Sequence, residues 1–119
     1  MIKIFLSYPM NGLTKEEQKD ERRKLLIKVR KMVLSNEIHF DDYRTEDEVK
    51  QNIRVHIKYI DNRDAEGDED DGRLHYLGQA IMKLDKCDIV IFAHDWEKSK
   101  GCKIEHAVAS EYGIPIYYA

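Results

Sequence analysis

Residues 87–118, CDIVIFAHDWEKSKGCKIEHAVASEYGIPIYY, decide the fold. The run at residues 89–93 is apolar without alternation and rich in β-branched side chains, as in a strand covered on both faces. A polar loop, HDWEKSKG, follows it. The spacing then predicts a helix over about residues 102–112, which Gly113 stops and Pro115 keeps from continuing. A closing strand at 114–118 completes the stretch.

Outward from there, Leu74, Leu77, Ile81 and Leu84 recur at helical spacing and mark a helix ending near Asp85. The opening residues 2–7 are apolar almost throughout and read as another buried parallel strand, broken by Tyr8-Pro9-Met10-Asn11-Gly12. Thr14 and Glu17 form a capping box, and Leu25, Leu26, Val29, Met32 and Val33 give the apolar stripe of a long helix over about 15–34.

In the middle, Ile53, Val55, Ile57 and Tyr59 fit a strand, while Val49, Ile53, Ile57 and Ile60 fit a helix. A strand over 53–60 is preferred, because a second parallel strand must receive the crossover from the first helix. Residues 36–51 then form an insertion, partly helical after Thr45. Residues 61–72, DNRDAEGDEDDG, hold seven acidic residues and two glycines and read as an exposed loop. Neither register of it supplies both the Gly at position six and the Glu at twelve that an EF-hand needs.

Alternating strands and helices with short links predict an α/β fold: a three-layer, doubly wound parallel sheet of four or five strands, in a single domain over 1–119. The length of 119 residues suits one core. A formal charge of -3 supplies no global positive field, so no nucleic acid polymer and no membrane is expected as partner. The start MIKIFLSYPMNG has no cleavage-site pattern, and the cytoplasm is the expected compartment. Cys87 and Cys102 are too few for a disulfide scaffold, and reduced core thiols are expected.

Ligands of open parallel sheets bind beyond the carboxyl ends of the strands, where strand order reverses. Two loops qualify: residues 7–13, with Ser7, Tyr8, Pro9, Met10, Asn11 and Gly12, and residues 94–101, with Asp95, Trp96, Ser99 and Gly101. Both lead into helix N-termini, which favour anions. Glu105 lies about one turn into the following helix, beside that crevice. It reads either as a surface partner of the helix dipole or as a carboxylate held ionised for nucleophilic work. Ser99 either caps the helix or binds a phosphate or sugar hydroxyl, and Gly101 lets a ligand approach the backbone. Trp96 either walls a ligand's ring or closes the core. His94 and His106 lack a metal-ligand pattern such as HExxH, so neither metal nor cofactor is expected.

The segment quoted first, read with KIFLSYPMNG, resembles the nucleoside 2-deoxyribosyltransferase-like superfamily, and in particular a bacterial and phage branch with a GWE-x-S-x-G-x-x-x-E-like loop and a Gly-[IV]-P-[IV] strand. The matching residues are Asp95, Trp96, Glu97, Ser99, Gly101, Glu105, Gly113 and Pro115. The resemblance implies a flavodoxin-like or Rossmann-like fold. It also implies cleavage or transfer of an N-glycosidic bond on a (deoxy)nucleoside or its 5′-monophosphate, with Glu105 attacking C1′. Asp95 is then the candidate acid, Tyr8 the candidate helper tyrosine, and Ser99 and Gly101 the holders of a 5′-phosphate. A homodimer or larger homo-oligomer is implied as well. Two departures stand out: the enzymes' Asp on the preceding helix is replaced within Gly78-Gln79-Ala80-Ile81-Met82, and their strand-one Tyr falls at Phe5. The alternative is a nucleotide-binding sensor or sequestering module without turnover. A phosphoacceptor receiver domain is disfavoured, because no acidic pair follows the first strand.

Overall fold

The computed structural model describes residues 2–38, 57–62 and 70–119. Strand β1 (Ile2–Ser7) leads to helix α1 (Lys15–Leu34) and strand β2 (Ile57–Asp61). Helix α2 (Arg73–Leu84), strand β3 (Ile89–Phe92), a short turn of 3-10 helix (Trp96–Lys98), helix α3 (Lys100–Glu111) and strand β4 (Ile116–Tyr118) follow. The four strands lie in the order β2-β1-β3-β4 and every pairing is parallel. This is a flavodoxin-like or Rossmann-like sheet, and its order reverses between β1 and β3.

Alternation along the strands builds two cores. Ile2, Ile4, Leu6, Ile89 and Ile91 pack against Leu25, Leu26, Val29 and Met32 of α1 on one face. Phe5, Val90 and Phe92 pack against Ala80 and Leu84 of α2 and Ala109 of α3 on the other. The sheet is thus covered on both sides, which explains why β1 and β3 are apolar at nearly every position.

The helix ends follow local chemistry. Thr14 Oγ1 accepts from the Glu17 amide while the Glu17 carboxylate accepts from the Thr14 amide. At the other end Asn36, with φ 58°, lets its own amide reach Val33 O and the Glu37 amide reach Met32 O, a Schellman closure. Helix α3 ends the same way at Gly113, φ 70°, with Ile114 donating to Ala109 O at 2.9 Å.

Three expectations need correction. Helix α3 starts at Lys100 rather than 102, because Ser99 is its N-cap and accepts from the Cys102 amide at 3.3 Å. The described part of the second strand runs one residue further than expected, to Asp61. Asp61 and Asn62 are not exposed loop: they are 2% and 7% exposed. Asp61 pairs with Leu6 in register, on the α1 face, where Arg22 of α1 makes an ion pair with it. Of that acidic stretch, residues 63–69 lie outside the described residues, as do the expected insertion beyond residue 38 and positions 53–56 of the second strand.

Candidate functional site

Four polar residues are buried among those described: Ser7, Asp61, Asn62 and Glu105. Three of them meet. Ser7 ends β1 on the face that Phe5 also uses, pointing at α3. Asn62 follows β2 and its amide continues the ladder to Leu6 O at 3.1 Å, which turns its side chain to the same face. Glu105, 1% exposed, comes from the second turn of α3. Ser7 Oγ donates to Glu105 Oε1 at 2.8 Å, and Asn62 Nδ2 donates to the same oxygen at 3.2 Å. Asn62 Nδ2 also donates to Tyr8 O at 3.1 Å, so both amide hydrogens are used and the carboxamide's orientation is fixed. Both donors converge on Oε1, which leaves Oε2 for other chemistry.

Burial pushes the Glu105 carboxyl up to about 7, and the hydrogen bonds from Ser7 and Asn62 hold it below where desolvation alone would carry it. This overturns the expectation that the helix dipole keeps Glu105 ionised. Lys100 opens the helix, so Glu105 is its sixth residue, and the dipole's influence fades beyond the first turn. A carboxyl balanced near neutrality can serve as base, acid or nucleophile within the physiological range. Cys102 lies against Ser7, Ser99 and Glu105; burial pushes its thiol up to about 11, and that of Cys87 likewise. Both are free thiols, protonated at neutral pH and unsuited to nucleophilic work.

Glu105 forms the floor of a cleft of about 510 Å³. Tyr8, Met10 and Asn11 line it from the first loop, and Ser99 and Gly101 from the start of α3. The structure therefore brings together, around Glu105, six of the expected residues: Ser7, Tyr8, Met10, Asn11, Ser99 and Gly101. Pro9, Gly12, Asp95 and Trp96 are not among the lining residues. Trp96 instead stacks on His106, with ring centroids 4.1 Å apart at 11°, and leans on Phe92. It closes the aromatic end of the second core, which is the packing alternative of its two readings. Sequence reasoning missed Asn62 and the α2 wall, formed by Arg73, Leu74, Tyr76, Leu77 and Ala80. It also missed Lys100, which with Arg73 adds positive charge to the rim.

A larger groove of about 900 Å³ lies between α2 and α3 near Asp85 and Ile114, and none of the buried polar residues lines it. Among the described residues, no group of three or more His, Cys, Asp or Glu side chains could hold a metal ion, and no helix is long and apolar enough to cross a membrane.

Residues 68–118 match a domain of unknown function, DUF4406. The match runs from α2 to β4 and takes in Ser99, Gly101 and Glu105, whereas Ser7 and Asn62 lie outside it. No curated protein and no solved structure matches the chain.

Proposed function

We propose that this protein cleaves or transfers the N-glycosidic bond of a (deoxy)nucleoside or nucleoside 5′-monophosphate, with Glu105 as nucleophile. The observation that carries the reading is a buried carboxyl held by two donors on one oxygen, on the floor of a cleft bordered by a helix N-terminus. In its ionised form Glu105 Oε2 attacks C1′, the C1′–N bond breaks, and the base leaves with the electron pair and takes up a proton. Water or a second base then attacks C1′ and releases the carboxylate. Tyr8, the expected helper tyrosine, is among the lining residues of the cleft and Asp95, the expected acid, is not, so the departing base takes its proton from solvent. The first turn of α3, with Ser99 and Gly101, suits a 5′-phosphate, helped by Lys100 and Arg73. The resemblance to the deoxyribosyltransferase-like superfamily supports the same chemistry and implies a homo-oligomer, which sedimentation equilibrium would measure.

The test is to incubate the protein with nucleosides and nucleoside monophosphates and follow free base by chromatography. Release is expected, with loss in Glu105→Gln. Because the nucleophile must be ionised, kcat/KM should rise with pH and level off above about 7, the value to which burial brings Glu105. A rate that falls through that range would make Glu105 an acid instead.

A second reading, nucleotide binding without turnover, is favoured by one feature. Ala80 lines the cleft within the segment where the enzymes it resembles carry an Asp. Tight binding of a nucleotide without any base release would select it.

A further inference from the structure

Asn62 has a second, unused end. Its carboxamide nitrogen is committed to Tyr8 O and Glu105 Oε1, so its oxygen has to point elsewhere. That oxygen is buried and, among the described residues, accepts no hydrogen bond. A buried acceptor without a donor is a standing cost, one that a matching group on a ligand removes. The residue lines the same cleft as Glu105 and is only 7% exposed. Glu105 and Asn62 line one cleft, so a ligand that enters it meets the two together.

We infer that Asn62 Oδ1 is a recognition site for a hydroxyl of the bound sugar, on a carbon close to the one that Glu105 Oε2 attacks. The inference rests on the glycosidic reading and adds to it a residue that selects the sugar. One planar group then does two jobs. Its donor edge holds the carboxylate with Oε2 toward the cleft, and its acceptor edge receives the substrate's hydroxyl, so a sugar in register for one is in register for the other. A site built around a hydrogen bond rejects the analogue that lacks it far more strongly than an apolar pocket rejects an added group. The chemical class implied is a furanose that keeps at least one ring hydroxyl, and a dideoxy sugar should be refused.

The experiment measures binding by calorimetry, and base release alongside it, for the ribo, 2′-deoxy and 2′,3′-dideoxy forms of the four common nucleoside monophosphates. The wild-type protein should lose roughly tenfold or more in affinity on removal of the recognised hydroxyl. Asn62→Asp keeps an acceptor and loses the donors, so it should retain the preference while moving the rise of activity to higher pH. Asn62→Ala should lose both. If Asn62→Ala does not fold, the wild-type series and Asn62→Asp still decide. Equal binding of all three forms by the wild type, or a preference unchanged in Asn62→Ala or lost in Asn62→Asp, overturns the role of Asn62 and leaves Glu105 standing. Failure of every form to bind or react overturns the glycosidic reading and this inference together.

Discussion

Glu105 is held where its charge is least welcome, and this ties its chemistry to the stability of the fold. Its folded value of about 7 lies above the ordinary 4.5, so the folded state binds the extra proton. The stability this lends is complete below pH 4.5 and is lost as pH rises through about 7. A shift of that size corresponds to roughly 3 kcal/mol. Glu105→Gln keeps the shape and the acceptor for Ser7 and Asn62 but cannot ionise. Denaturant unfolding should therefore show the variant gaining on the wild type by about 3 kcal/mol between pH 4 and pH 8, even as base release disappears. Equal pH dependence of the two proteins would mean that the carboxyl is not desolvated. Ser7→Ala removes the shorter of the two donors and lets burial act with less opposition. The rise of kcat/KM with pH should then move upward by about one unit.

At the level of elements, the start of α3 serves both as a cap and as one wall of the cleft. Gly101 lines that wall, and among the described residues a Cβ there would meet only Ser99 Oγ, at 3.9 Å. Gly101→Ala should leave thermal stability unchanged or raise it by up to about 1 kcal/mol through helix propensity. It should still weaken nucleotide binding in a titration, because the added methyl occupies ligand space. A large loss of stability would show that the backbone there is more constrained than its geometry indicates. The ends of α1 and the stop of α3 were legible in the sequence, because Thr14, Glu17 and Gly113 act on backbone groups within a few residues of themselves. Asn62 was not, since nothing local marks it. It sits in an acidic run that reads as solvated loop, and only its position next to β1 buries it. The parallel register offered the one available signal: the first residue after β2 must lie beside the last of β1, where Ser7 already pointed to a site. Trp96 stayed open between ligand wall and core for a related reason, because a loop position does not say which side of the sheet the ring will choose.

For the molecule as a whole, the sequence carries the alternation of strands and helices but not the order of the strands, which depends on contacts between distant segments. β1 ends up in the interior of the sheet, paired with β2 on one side and with β3 on the other. The pairing of β1 with β3 joins residues 85 apart, as in the partnership of Ile4 with Ile89. It is the seam between a first half, β1-α1-β2, and a second half, α2 to β4. Ser7 and Asn62 belong to the first half and Glu105 to the second. If the chain is severed within residues 63–69, the two fragments should each lack activity and recover it by complementation when mixed, because the docking that mates their sheet edges also supplies the donors to the carboxylate.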